Sequence, residues 1–332
     1  MLCFGVFAPA APRVARRLGL ERTIGGALLL LLAGILVRIV PGLGALLAGT
    51  TLVGAGIGVI NVLLPALIKR DFSHRAGLLT GLYSMTLSLG AAAAAGLTVP
   101  LQQVTGQSWQ LTLAAWGLLA VPALALWVPL AMTGQHVPPQ AGTVTLWRQP
   151  LAWAVTIFLG IQSLIFYTCS AWLPLYLTSL GYSPAAAGGI LAAFGLSGTA
   201  ASLVVPIIAI RLPDQRWLAV VISAAAGVGL AGLIAFPSSA LAWAIVTGVG
   251  PGAGISLALL MIVLRGAHAQ QTSSLSGMAQ SVSYILAAIG PILIGTTRDI
   301  TGSWAAAFSV LALFVVPQAI SGYHGGRNAT LS

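Results

Sequence analysis

Long apolar segments separated by short connections make up most of the chain. Each segment is close to the ~20 residues that an α-helix needs to cross the hydrocarbon core of a bilayer. Backbone polar groups cannot remain unpaired in lipid, so every segment is predicted to be a transmembrane helix. After an apolar stub at 2–12, the segments lie at 23–40, 45–68, 77–101, 110–131, 151–177, 185–208, 217–236, 241–264, 276–297 and 304–323.

Charged residues are rare, and the basic ones are confined almost entirely to alternate connections. The 332 residues include 14 Lys or Arg and 4 Asp or Glu, while 58% are hydrophobic, which excludes a water-soluble fold. Under the positive-inside rule, the basic connections face the cytoplasm, and so does the C-terminal tail. Among the connections, Arg298, next to Asp299, is the exception. The basic connections hold Arg13, Arg16, Arg17 and Arg22; Lys69, Arg70 and Arg75; Arg148; Arg211 and Arg216; Arg265; and Arg327.

The sequence contains an internal repeat. Glycines at 54, 56 and 58 match glycines at 250, 252 and 254 at a separation of 196 residues, and Ser108-Trp109 matches Ser303-Trp304 at 195. Chance in a Gly- and Ala-rich chain is the alternative. Parallel duplication is common in secondary transporters, whose substrate sites lie between the repeats near mid-membrane. We therefore predict an N-terminal helical bundle at 1–131, a central cytoplasmic loop at 132–150, a C-terminal bundle at 151–323 and a cytoplasmic tail at 324–332.

The repeat also predicts a missing helix. The segment at 151–177 begins the second half, and its counterpart in the first half would precede Met1. The chain is therefore expected to lack its first helix and part of its second.

Four stretches of the chain resemble a known family. They are residues 8–17 (APAAPRVARR), 61–72 (NVLLPALIKRDF), 160–163 with 171–174 (GIQS and AWLP), and 275–281 with 290–291 (LSGMAQS and GP). They resemble the cyanate porter branch of the major facilitator superfamily, which includes cyanate and 2-nitroimidazole transporters. The superfamily's usual Asp in the loop after its second helix is absent here. The resemblance implies an all-α membrane fold of two pseudo-symmetric helical bundles, with about 11 of the 12 transmembrane helices present.

Isolated polar side chains within the apolar segments are the candidate substrate-binding residues, because polar groups in a membrane are costly unless they have partners or line a path. Gln162 is the leading candidate, since the resemblance places its helix and that of Asn61 around the central cavity. The alternative for each candidate is a hydrogen bond between helices, worth about 0.6 kcal/mol on average in membranes. The further candidates are Tyr83, Tyr167, Gln280 and Tyr284.

Charged residues supply two further predictions. Arg38 is a cation inside an apolar segment and could attract an anionic substrate. Alternatively it snorkels to the outer interface, because Pro41 ends the helix three residues later. The basic connections could form a cytoplasmic gate, or they could serve topology alone. The candidate gating residues are Arg13, Arg17, Lys69, Arg70 and Asp71.

These features predict a permease of the bacterial inner (plasma) membrane that moves a small polar or anionic solute such as cyanate by alternating access. The alternatives are an efflux transporter of drugs or heterocycles with the same fold, and a non-functional truncated remnant. The sequence offers no nucleophile–base pair, metal-ligand set or paired cysteines, so we predict no enzyme, cofactor or metal site. The expected partners are a small-molecule solute and the lipid bilayer. Basic loops without interleaved aromatic residues do not indicate nucleic acid, and the chain is expected to be a monomer.

Overall fold

The computed structural model describes residues 2–106, 108–133 and 146–331, and these residues form helices joined by short turns. Single helical turns of the 3₁₀ type occur at Ala8–Ala10, Ser73–Arg75, Trp116–Leu119, Leu146–Arg148 and Pro237–Ser239. The α-helices are α1 (Leu2–Phe7), α2 (Ala11–Leu18), α3 (Leu20–Val37), α4 (Leu43–Asp71), α5 (Ala76–Val104), α6 (Trp109–Ala115), α7 (Ala120–Thr133), α8 (Pro150–Ser179), α9 (Pro184–Ala209), α10 (Arg216–Ala235), α11 (Ala240–Arg265), α12 (Ala269–Thr301), α13 (Trp304–Leu313) and α14 (Val315–Gly325).

The predicted apolar segments correspond to these helices. Among the described residues, nine helical segments are long and apolar enough to cross a membrane, as a multi-pass membrane protein requires. Most boundaries shift by a few residues, and two of the differences bear on the site. α3 ends at Val37, so Arg38 is its C-cap rather than a residue inside it. α12 begins at Ala269, seven residues before the apolar segment, because His268 caps its N-terminus and polar residues continue the helix into the apolar part.

The helix contacts divide into those within each half of the chain and those between the halves. In the first half, α3 packs on α4 and α7; in the second, α11 packs on α9 and α10, while α8 packs on α12 and α14. Between the halves, α5 packs on α9, and α12 packs on α1, α2 and α4. The junction between the halves is therefore built mainly from α4, α5, α9 and α12.

The contacts of the two glycine rows revise the separation of the repeat. Gly58 of α4 faces Phe4 of α1, and Gly252 of α11 faces Gly198 of α9. Gly252 lies 194 residues after Gly58, and Gly198 lies 194 residues after Phe4. The two contacts are therefore equivalent at a separation of 194 residues rather than the predicted 196. Glycine recurs at every second position from 54 to 58 and from 248 to 254, and a slip of two positions therefore leaves the match of the glycines intact.

Several helix ends meet at one end of the molecule, which we call the basic end. α4, α9, α11 and α14 end there, and α5, α8, α10 and α12 begin there. Its cationic residues are Arg13, Arg16, Arg17, Arg22, Lys69, Arg70, Arg75, Arg148, Arg211, Arg216, Arg265 and Arg327. The opposite end is called the far end.

The C-terminal tail packs across the basic end. Arg265, the last residue of α11, is 3% exposed, and its guanidinium donates to the carbonyl oxygens of Gly325 and Gly326 at 3.1 Å each and to the side chain of Gln215. The backbone N–H of Leu331 donates to the carbonyl oxygen of Arg265 at 2.8 Å. Carbonyl oxygens of the tail thus satisfy a buried cation.

The two halves approach each other closely near the basic end. A Cβ atom on Gly81 of α5 would lie 2.7 Å from the carbonyl oxygen of Leu203 in α9, and one on Gly77 would lie 2.7 Å from that of Pro206. Farther along α5, Gly90 has open space around it. The glycines therefore permit backbone contact between α5 and α9 at the basic end.

Candidate functional site

The side chain of Asn61 lies at the centre of a group of hydrogen bonds that joins the two halves. Its Nδ2 donates to the hydroxyl of Tyr284 in α12 at 3.1 Å, and its Oδ1 accepts from the hydroxyl of Tyr83 in α5 at 3.0 Å. Nε2 of Gln280, one turn before Tyr284, donates to the backbone carbonyl of Asn61 at 2.8 Å. We call Asn61, Tyr83, Gln280 and Tyr284 the Asn61 cluster.

Pro65 explains why the carbonyl of Asn61 is available to Gln280. In an α-helix this carbonyl would accept from the backbone N–H four residues later, and a proline has no such N–H. Residue 65 is a proline inside α4, so the carbonyl of Asn61 lacks its intrahelical donor. An amide from the other half of the chain supplies it instead. The cluster therefore depends on the local sequence of α4 as well as on the meeting of two helices.

The cluster combines shielded amides with partly accessible phenols. Asn61 and Gln280 are 7% and 4% exposed, whereas Tyr83 and Tyr284 are half-buried. The ring of Phe4 packs edge-on against Tyr284 with centroids 5.0 Å apart. Tyr167 of α8 is also half-buried, and its phenol is close enough to that of Tyr284 for the two to interact electrostatically. Four of the predicted site residues thus form one hydrogen-bonded group, and a fifth lies beside it.

Gln162, the leading candidate from the sequence, lies in a different environment. It is 1% exposed, and its Nε2 donates to the hydroxyl of Ser163 at 2.8 Å. Its Cβ faces Gly254 of α11, and the same glycine faces Nε2 of Gln318 in α14. Gln162 therefore packs inside the second half, against α11 and α14, and forms no hydrogen bond to the Asn61 cluster within the described part of the chain.

Gln318 was missed by the sequence analysis. It is fully buried, and neither Nε2 nor Oε1 has a hydrogen-bond partner among the described residues. Thr80 and Ser84, on either side of Tyr83 in α5, likewise have buried hydroxyls without a partner in the described ranges. The signal for Gln318 was present, because it is a lone glutamine in the apolar segment at 304–323. Only the packing of α14 against α8 places it beside Gln162.

Arg38 lies outside the cluster. Its side chain packs on Gly49 near the start of α4. Gly49 precedes Asn61 by 12 residues, which corresponds to about 18 Å along a helix. Arg38 therefore sits at the far end of α3 and cannot reach the same ligand as Asn61, which supports the alternative interpretation of this residue.

The predicted gating residues form only part of an ion-pair network. Arg70 donates to Glu21 of α3 and to Asp71, the latter at 2.7 Å. Glu21 precedes the predicted apolar segment at 23–40 but lies in the first turn of α3, and its backbone carbonyl accepts from Nε1 of Trp127 in α7 at 2.8 Å. These contacts connect α3, α4 and α7 within the first half, so this ion-pair network does not itself join the two halves.

The remaining gating candidates are at the surface of the basic end. Arg13 is exposed and donates to the carbonyl oxygen of Pro9 at 3.4 Å, within its own helical stretch. Arg17 is exposed and Lys69 is half-buried. In this conformation these three side chains therefore carry charge at the basic end without forming an ion pair within the described residues.

Comparison with known proteins places this architecture in a family. The profile of the Major Facilitator Superfamily matches residues 1–291. The chain belongs to this superfamily. It is 42% identical to the 2-nitroimidazole transporter of Escherichia coli (strain K12) over 99% of this chain and 84% of that protein. It is 30% identical to the cyanate transport protein CynX of the same organism over 95% of this chain and 83% of that protein.

Solved structures of the superfamily share the fold. The E. coli fucose:proton symporter FucP superimposes with a TM-score of 0.73 at 16% identity, over 98% of this chain and 89% of that chain. The prediction of an all-α membrane protein with the major facilitator fold is confirmed, as is the resemblance to cyanate and 2-nitroimidazole transporters. The protein is a superfamily transporter of small solutes rather than an enzyme.

Proposed function

We propose that this transporter moves a small, planar, neutral or weakly charged solute by alternating access, and that the Asn61 cluster binds it. The observation that carries the proposal is the hydrogen-bonded group formed by α4, α5 and α12. A group that joins both halves of the chain can be made and broken as the halves rock. Secondary transporters place their substrate sites between such repeats.

The chemistry of the cluster favours a solute with few hydrogen-bonding groups and a flat apolar surface. Amide and phenol groups can donate to and accept from a neutral heterocycle, while the rings of Phe4 and Tyr284 offer aromatic faces and edges. The 42% identical relative is named for 2-nitroimidazole, which has this chemistry. Cyanate is the second candidate, supported by the relative CynX, since a small anion can accept from Asn61 Nδ2 and the phenols.

The proposed orientation places the basic end in the cytoplasm of a bacterium, with the protein in the inner (plasma) membrane. The positive-inside rule supports this orientation, and the tail at 324–332 would then be cytoplasmic. Because the halves touch near the basic end, this conformation would be closed to the cytoplasm. The two rocking units would be the bundles at 1–131 and 151–323, joined by the loop at 132–150, in a monomer.

Transport by purified protein in proteoliposomes tests the proposal. Uptake of labelled 2-nitroimidazole and of cyanate would be measured for the wild type, for Tyr83→Phe and for Tyr284→Phe. Each substitution removes one hydroxyl from the cluster and keeps the ring. Tyr182→Phe is the matched control, because its hydroxyl donates to the carbonyl oxygen of Pro237 between α10 and α11. Loss of a hydrogen bond worth about 1.4 kcal/mol would weaken apparent affinity about tenfold.

The expected result is transport of one of the two solutes by the wild type and by Tyr182→Phe, with weaker apparent affinity in both cluster variants. If the wild type transports neither solute, the proposed substrate class is wrong. If the wild type transports a solute and its apparent affinity is unchanged in Tyr83→Phe and Tyr284→Phe, the binding site lies elsewhere. Gln162 and Gln318 would then be the next residues to substitute.

A further inference from the structure

A groove lies between the start of α8 and the end of α14, at the basic end of the molecule. Its volume is about 550 Å³, and it opens to the outside of the helix bundle. Its lining includes Trp153 and Ile157 from α8, Pro317 and Ile320 from α14, and the side chains of His324 and Arg327. The groove is separate from the Asn61 cluster.

The lining changes character along the groove. The groove extends about 10 Å along the helix axes, because seven residues separate Pro317 from His324 on α14 and Pro150 from Ile157 on α8. On α14, Pro317 and Ile320 lie toward the middle of the helix, while His324 and Arg327 are exposed at the mouth, and α8 contributes apolar residues along the whole groove. A ligand that matches both parts needs a long apolar portion and a negatively charged end.

Aromatic residues around the mouth are typical of a membrane–water interface. Trp147 and Trp153 pack edge-on with centroids 5.7 Å apart, and Nε1 of Trp153 donates to the carbonyl oxygen of Trp147 at 2.9 Å. Trp217 packs similarly on Tyr323 at 5.6 Å. Tryptophan and tyrosine concentrate where the lipid headgroups begin, so the mouth of the groove is expected at headgroup depth.

The charge at the mouth is held in place and is not neutralised by the nearby carboxylate. Asp214 pairs with Arg216 at 3.6 Å, and in the described residues Arg327 has no ion pair. The backbone of the tail is fixed around Arg327. The backbone N–H of Gln215 donates to the carbonyl oxygen of Gly326 at 2.8 Å, and the backbone N–H of Ala329 donates to the carbonyl oxygen of Arg327 at 2.8 Å. The backbone therefore holds residue 327 beside the apolar groove.

We propose that this groove binds one anionic phospholipid, with an acyl chain along α8 and α14 and the phosphate between His324 and Arg327. Basic pockets between transmembrane helices on the positively charged side bind anionic headgroups in this way. The apolar floor favours a lipid over a soluble phosphate, and the Arg327 guanidinium, with the His324 imidazole as a further donor, favours an anionic over a zwitterionic headgroup. The site is independent of the transported solute.

Native mass spectrometry of the purified full-length protein tests the site directly. The protein in detergent would be titrated with phosphatidylglycerol and, separately, with phosphatidylcholine. The test variant is His324→Gln combined with Arg327→Gln, and Ile320→Trp fills the apolar floor without changing charge. Arg211→Gln is the matched control, because Arg211 is an exposed cation of the basic end outside the groove lining.

The wild type is expected to bind one phosphatidylglycerol molecule tightly. Its affinity for this lipid should fall about fivefold in the double variant and fall further, or be lost, in Ile320→Trp. Arg211→Gln binds like the wild type, and phosphatidylcholine binds more weakly to all variants. Equal binding of the two lipids, or an unchanged double variant, would overturn the proposal and indicate ordinary annular lipid. Competition by millimolar glycerol 3-phosphate would instead identify a site for soluble phosphate.

Discussion

The carbonyl oxygen of Asn61 shows what single residues contribute to the site. Pro65 removes its intrahelical donor, and Gln280 supplies a replacement from the other half of the chain. The sequence identifies each of these residues as polar or as a helix breaker within an apolar segment. Their pairing could not be predicted, because it depends on which faces of α4 and α12 meet. For the same reason Gln162 and Arg38 were reasonable candidates, although packing places them away from the cluster.

Substitution of Gln280 by Leu should destabilise the protein because the carbonyl of Asn61 is then buried without a donor, at a cost of about 1–3 kcal/mol. Pro65→Ala restores a backbone N–H at position 65 and should remove most of this cost. The thermal midpoint of the detergent-purified protein would be measured for both single variants and the double variant. Gln280→Leu should lower it clearly in the wild-type background and much less in the Pro65→Ala background. Equal decreases in both backgrounds would contradict the role of Pro65.

At the scale of helices, alternating apolar and polar stretches predict nearly all of the elements, because an apolar stretch of about 20 residues can cross a membrane as a helix with its backbone hydrogen bonds satisfied. The ends are less well predicted. Hydropathy does not detect the polar first turns of α12 or the cap at Arg38, which depend on local hydrogen bonds. The repeat was also predicted, but its register was not. Glycine rows repeat every two residues, and only contacts such as Gly252 with Gly198 fix the alignment.

Close contact between α9 and α11 predicts a sharp difference between two glycine substitutions. A Cβ atom on Gly252 would overlap the backbone of Gly198, so Gly252→Ala should force the helices apart and destabilise the protein. Gly195, also in α9, has open space around it, and Gly195→Ala should be neutral or stabilising by up to about 1 kcal/mol because alanine favours the helix. Thermal unfolding of both variants in detergent measures the difference. A stable Gly252→Ala protein would show that α9 and α11 separate at little cost.

At the scale of the whole molecule, composition and charge placement predict a multi-pass membrane protein and its orientation, and the family resemblance implies the fold of two bundles. The structure adds how the halves and the tail meet. The tail at 324–332 was predicted only as a cytoplasmic extension. Its packing follows from Arg265, a buried cation whose acceptors are tail carbonyls and Gln215 rather than a carboxylate. Likewise, the contact between α5 and α9 follows from glycines whose importance is visible only when two distant segments are brought together.

If the halves rock during transport, the contact between α5 and α9 at the basic end must open in each cycle. A Cβ atom on Gly77 would lie 3.3 Å from the Cβ of Ile210, slightly closer than in disulfides, but also 2.7 Å from the carbonyl oxygen of Pro206. Gly77→Cys with Ile210→Cys should therefore cross-link once α5 and α9 have moved slightly apart. With Cys3 and Cys169 replaced by alanine, oxidation should stop transport in proteoliposomes and dithiothreitol should restore it.

The matched control joins two helices of the same half. A Cβ atom on Gly227 of α10 would lie 3.6 Å from the Cβ of Val315 in α14, so Gly227→Cys with Val315→Cys should also form a disulfide. Rocking of rigid halves does not separate these helices, and this variant should transport in both redox states. Full cross-linking between positions 77 and 210 with undiminished transport would mean that the basic end need not open. Inhibition of both pairs would mean that movement within the second half is required, and alternating access would then involve more than two rigid bodies.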